Sequence, residues 1–141
     1  MSYREKLAWL SLASFLISYG PYFVVTGLGV MPVEALPGLR QLGLFATTTV
    51  AQMLILGLGY LYLRRSMADE ARSPADERDR SISYRARNVS YYVLISGMIL
   101  VGCILPFTSA GWTIVNAALL MIVSAELVGY SLIVISYRRQ S

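Results

Sequence analysis

The chain contains no histidine. That removes haem held by His, His-ligated zinc or copper, and any acid–base step that runs through imidazole. Cys103 is its single cysteine, so no intrachain disulfide forms and cysteine usage specifies no redox compartment. Charge is scarce as well. Asp, Glu, Lys and Arg make up 14% of the 141 residues, against roughly 25% in soluble domains. There is no Gly-rich phosphate loop, no nucleophile elbow and no acidic cluster at metal-ligand spacing. A cofactor-bearing electron carrier lacks its ligands here, and the expectation is a non-enzymatic protein with no cofactor and no metal.

What the sequence does have is apolar runs and a segregated charge pattern. Apolar residues make up 56%, and charge is absent from Leu7 to Val33, from Gln41 to Leu63 and from Asn88 to Ala125. Eleven of the twelve Lys and Arg residues fall in three short stretches: Arg4 and Lys6, the segment from Arg64 to Arg87, and Arg138-Arg139. Only Arg40 falls outside them. Basic residues that flank membrane spans stay on the cytoplasmic side. The pattern therefore predicts four crossings, with both termini and the middle loop inside.

The expected fold is all-α: one transmembrane domain over residues 1–141, an up-down-up-down four-helix bundle in the inner (plasma) membrane. The net charge of +4 is explained by topology and lipid headgroups, not by nucleic acid. Membrane lipid is one expected partner. Further copies of the chain, or another membrane protein, are the other.

The spans are read at about 7–30, 41–63, 89–105 and 112–136, with a cytoplasmic loop at 64–88. Each of the longer runs meets the roughly 20 residues needed to cross about 30 Å of hydrocarbon. Val33-Glu34-Ala35 resembles a signal-peptidase site, but Leu7 to Val30 is 24 residues, longer than the roughly 7–15 of a signal h-region. Ser2 and Glu5 have the spacing of a capping box. Gly20-Pro21 predicts a kink in the first span, and Met31 to Arg40 an external loop. Tyr60 and Tyr62 beside Arg64-Arg65 form an interfacial anchor. Ser73-Pro74 reads as the N-cap and first position of one long helix that enters the membrane near Val89. Asp76 and Arg80, at i and i+4, support its exposed start. Pro106 to Gly111 is a short external hairpin.

Glu126, near the middle of the fourth span, is the sharpest candidate. A carboxyl group at that depth costs about 2.5–3.5 kcal/mol on insertion scales, so it faces protein or water. Asn116, Leu119, Val123, Glu126, Tyr130, Ile133 and Tyr137 alternate by three and four and share one helix stripe. Two readings stand side by side: a proton or cation site, or a neutral acid donating one structural hydrogen bond to Gln52 or Tyr130. Gln52, midway along the second span, reads as inter-helix glue. Three further sets are small-residue or small-polar packing faces: Ser11, Ser14 and Ser18; Gly43, Thr47 and Ala51; and Ala125 with Gly129. On the cytoplasmic segment, Arg78, Arg80, Arg85 and Arg87 are expected to meet headgroups or a cytosolic partner.

Two resemblances complete the reading. Asp76, Glu77, Arg78, Ile82, Arg85 and Ala86 form a D-E-R-x-x-x-I-x-x-R-A pattern. It resembles a motif that precedes the third span in a group of small prokaryotic four-span membrane proteins. The resemblance covers Ala75 to about Val101; it implies the same topology and no catalytic role. The chain is also similar to small multidrug transporters in size, span number and possession of one membrane carboxylate, which implies a proton-coupled exporter using Glu126. In that family the carboxylate lies in the first span, where this chain has only serines and Tyr19. The expected function is protein–protein contact, as a homo-oligomer or accessory subunit, with the exporter as its rival and a lipid- or quinone-handling enzyme subunit behind both.

Overall fold

A computed structural model describes residues 1–28, 38–109 and 111–140. Most of the expected first loop, including Val33-Glu34-Ala35, lies outside the described residues. Every regular element within them is helical: α1 (Tyr3–Gly27), α2 (Leu39–Ser66), α3 (Ala68–Arg72), α4 (Glu77–Cys103) and α5 (Gly111–Arg139), with a 3-10 turn at Leu105–Phe107. Four helices are long and apolar enough to cross a membrane: α1, α2, α4 with its 3-10 extension, and α5. The charge-free runs cover most of α1 and α2, the second half of α4 and the first half of α5.

Local chemistry accounts for the helix starts. The Ser2 hydroxyl accepts from the Glu5 backbone N–H at 3.2 Å, the first half of the expected capping box. Gln41 Oε1 accepts from the Gly38 N–H at 3.2 Å and closes the first turn of α2. The start of α4 departs from expectation. Its N-cap is Asp76, whose Oδ1 accepts from the Asp79 N–H at 2.7 Å. Ser73 instead ends the short α3, turning its hydroxyl back to the Glu70 carbonyl at 2.7 Å. Both residues have the right side chain, and the carboxylate has the advantage of countering the helix dipole. With Asp76 occupied as the cap, an Asp76–Arg80 ion pair does not form. From Glu77 to Cys103, α4 runs on without a break, as the long-helix reading requires, and α1 continues through Pro21.

α1 and α5 pack against each other at the centre, α2 packs on α1, and α4 packs on α5. No comparable interface joins α2 to α4, so the ring of neighbours expected for a four-helix bundle is open between its second and third spans. Burial follows that order. The apolar window of α1 is 33% buried, whereas those of α2 and α4 are each 11% buried. Tyr19, Tyr22 and Val123 form the buried apolar centre, packed round by Phe15, Phe45, Leu119 and Leu127.

Small residues set the closest approach. A Cβ on Gly129 would lie 3.2 Å from both Cβ and Oγ of Ser90, and a Cβ on Gly97 would run into Met121. Ser90 Oγ donates to the Ala125 carbonyl at 2.7 Å. The Ala125/Gly129 face is thus a true helix–helix contact. The Gly43/Thr47/Ala51 face of α2 is not. Gly43 and Thr47 are exposed, a Cβ on Gly43 would meet nothing within 4 Å, and α2 buries Gln41, Thr48 and Gln52 instead.

Candidate functional site

The polar residues singled out in the spans do not converge. Gln52 is buried and its Nε2 donates to Ser14 Oγ at 3.1 Å, across the α1–α2 interface. Ser14 is wholly buried and its hydroxyl donates to the Ser11 carbonyl at 2.9 Å. Gln52 Oε1 and Ser18 Oγ, on the same interface, are buried without a partner among the described residues. Asn116 sits on the α1–α5 interface, where its Oδ1 accepts from the Tyr22 hydroxyl. Tyr130 stacks on Phe15 of α1, with ring centroids 6.1 Å apart.

Glu126 stands apart from Gln52 and Asn116 and shares a groove with Tyr130. It is half-buried and its carboxylate makes no hydrogen bond or ion pair with another described residue. With Ser83, Arg87, Ser90 and Tyr130, it lines a groove of about 360 Å³ between α4 and α5. Arg87 shares that groove without pairing with the carboxylate. The Glu126–Gln52 hydrogen bond is not formed: Gln52 points its amide nitrogen at Ser14 of α1. Along the expected stripe of α5, Val123 and Tyr137 are buried and Asn116, Glu126 and Tyr130 half-buried, while Trp112, Ala125, Gly129 and Val134 are buried off it.

A second polar assembly closes one end of the molecule. Asp79 is its centre. Arg4 Nε lies 2.9 Å from Asp79 Oδ2, and the Tyr137 hydroxyl donates to Asp79 Oδ1. Arg4 Nη2 also donates to the Ser73 carbonyl at 3.3 Å, and the Tyr3 N–H donates to Glu70 Oε2 at 2.8 Å. Arg78 Nε donates to Gln140 Oε1 at 2.9 Å while its guanidinium lies 5.8 Å from the centre of the Tyr137 ring. Arg138 covers the Trp9 ring at 5.2 Å. The N-terminus, α3, the start of α4 and the C-terminus are thereby joined at this charged end.

Of the four arginines expected to meet headgroups or a partner, Arg78 is therefore engaged within the chain. Arg80, Arg85 and Arg87 are exposed. In the motif that carried the resemblance, Ile82 and Ala86 are buried against α5. Asp79 precedes Ile82 by three residues and Ala86 by seven, which puts all three on one helix face. That spacing was the available signal for Asp79, an acid aligned with a buried apolar stripe inside a basic segment.

The arrangement can hold helices together through side-chain hydrogen bonds, and at Glu126 it can present a carboxylate to a groove. Among the described residues, no three His, Cys, Asp or Glu side chains are grouped to hold a metal ion. No protein-family model, no curated protein and no solved structure matches this chain.

Proposed function

We propose that the chain is a non-enzymatic, multi-pass protein of the inner membrane, with both termini and α3 in the cytoplasm, that works through protein–protein contact as a homo-oligomer or accessory subunit. The unused small-residue face of α2 carries the reading. In lipid, helices associate where small residues allow close backbone approach, because the apolar effect gives no preference between lipid and protein. Within one chain, Ala125 and Gly129 are used in that way, whereas Gly43 and Thr47 meet no helix. Gln52 and Asn116 are meanwhile spent on contacts with α1, to Ser14 and Tyr22.

The test is association in liposomes, read by energy transfer between labelled copies. Gly43→Leu together with Thr47→Leu should abolish transfer while leaving helicity intact. Unchanged transfer in that variant would remove the α2 face as the contact, and no transfer with the natural chain would remove the oligomer reading. Association that appears only with a co-purified membrane protein would favour the accessory subunit.

Glu126 favours a second reading, the proton-coupled exporter, because its carboxylate lines a groove and has no partner among the described residues. Liposomes given a pH gradient and a panel of lipophilic cations decide between the two. Flux with the natural chain that vanishes in Glu126→Gln establishes the exporter, since Gln cannot exchange a proton. Absence of flux with the natural chain removes that reading for the panel used.

A further inference from the structure

The helix contacts fix which residues share a level along the molecule. Near the charged end, Asp79 of α4 pairs with Arg4 of α1 and accepts from Tyr137 of α5, and Tyr60 of α2 lines the same cleft as Arg4 and Tyr137. Further in, a Cβ on Gly129 of α5 would lie 4.0 Å from the Ala86 carbonyl of α4. Beside it Tyr130 stacks on Phe15, and Ser14 accepts from Gln52 of α2. Ala86, Gly129, Phe15 and Gln52 thus share a second level, about 10–12 Å in from the first at about 1.5 Å per residue. At that level α1 and α2 are well inside their charge-free runs, and α4 is still charged.

The outward side of this part of α4 alternates arginine with tyrosine. Arg80, Tyr84, Arg87 and Tyr91 share one stripe, flanked by Arg85 and Tyr92. All six are exposed. The guanidinium groups of Arg80, Arg85 and Arg87 make no hydrogen bond or ion pair with another described residue. On α2 the same composition, Tyr60 and Tyr62 before Arg64-Arg65, stands at the first level. Such belts mark the headgroup region, and on α4 the belt is set deeper.

We propose that this face of α4 binds lipid headgroup phosphates, drawn in along the helix to the level of Ala86, so that the bilayer is thinner beside α4 than beside α2. The planar guanidinium fork matches phosphate geometry. From Arg80 to Tyr92, α4 offers no carboxylate to compete. Glu126, half-buried in the groove beside Arg87, is one acid against three arginines. A second copy meeting this face about a two-fold axis would set its own arginines against these. The apolar lengths agree: Val89 to Leu105 reaches about 26 Å as helix, and Gln41 to Leu63 about 35 Å. A bilayer accommodates a shorter apolar stretch by thinning around it.

The experiment places single spin labels on the full chain in dioleoylphosphatidylcholine vesicles, after Cys103→Ser removes the natural thiol. Tyr84→Cys and Asn88→Cys label the α4 face. Leu54→Cys and Val50→Cys label exposed positions of α2 at matching levels. The arginines stay in place throughout. Labels at 84 and 88 should be relaxed more by an aqueous nickel chelate than by oxygen, and labels at 54 and 50 the reverse. The label at 88 should also broaden the lipid phosphorus resonance more than the label at 50. Four labels on the same side of the oxygen–nickel balance overturn the step in depth. Equal phosphorus broadening from 88 and 50 overturns the phosphate contact. Labels at 84 and 88 that neither reagent reaches show a protein covering this face, and overturn the lipid assignment.

Discussion

Removing the Ser14 hydroxyl should cost more than removing the whole Gln52 amide. Ser14 Oγ is the acceptor for Gln52 Nε2, at 3.1 Å, in a fully buried position. Gln52 Oε1 has no partner already. Ser14→Ala therefore leaves an entire primary amide buried with neither end satisfied. Leaving a buried donor unpaired costs about 1–3 kcal/mol in proteins, and hydrogen bonds between membrane helices average about 0.6 and reach about 1.7 kcal/mol. The two ranges meet at about 1–2 kcal/mol for Ser14→Ala. Gln52→Leu works the other way. It removes the orphaned oxygen together with the donor, keeps a similar volume, and leaves Ser14 still donating to the Ser11 carbonyl. That variant should lie within about 0.5 kcal/mol of the natural chain or above it. In the Gln52→Leu background, Ser14→Ala should then cost close to nothing. Unfolding by dodecyl sulfate in mixed micelles, followed by Trp9 and Trp112 fluorescence, gives all four corners of the cycle. A neutral Ser14→Ala beside a Gln52→Leu that loses more than about 1 kcal/mol would refute the reasoning. It would show that Gln52 bonds to something other than Ser14.

Ile82→Pro should destabilise by about 3 kcal/mol or more, because Ile82 is buried within the unbroken α4; the same micelle titration reads it, and a neutral result would mean that α4 does not continue to Glu77. Gly129→Val should cost about 1–3 kcal/mol by overpacking, since its Cβ would already sit 3.2 Å from Ser90; Gly43→Val, facing open space, should not destabilise the monomer. Reporter fusions after Arg72 and after Arg139 should report cytoplasm, and fusions near Pro37 and Ser109 the outside; an external C-terminus overturns the proposed orientation and the four-crossing count.

The four helices were legible because charge is intolerable in hydrocarbon, so gaps in the charge pattern mark spans whatever their packing. On α5 the same reasoning found Asn116, Glu126 and Tyr130 half-buried, but it did not find Ala125 and Gly129 as the more deeply buried positions. The face of α2 was harder to read. A helix that is apolar all round carries no amphipathic period to say which side meets lipid and which meets protein. Gly43, Thr47 and Ala51 therefore looked as good a contact face as Thr48 and Gln52, and only tertiary packing separates them. The partner of Gln52 was hidden by the same ambiguity. Depth alone allowed Glu126, and the α1–α2 contact gave the position to Ser14. Ser73 and Asp76 are both capping residues three positions apart, and the α3 turn, not seen in the sequence, decided between them.

The α1–α5 contact joins the earliest-made of these four long helices to the latest. Tyr22 has to wait for Asn116, which follows it by 94 residues, and Arg4 for Asp79. Two hairpins, α1 with α2 and α4 with α5, are available early as separate units, and the centre of the molecule forms only when they meet. A chain cut short before α5 would lose its middle and keep an edge, leaving the Tyr22 hydroxyl of α1 without its Asn116 acceptor.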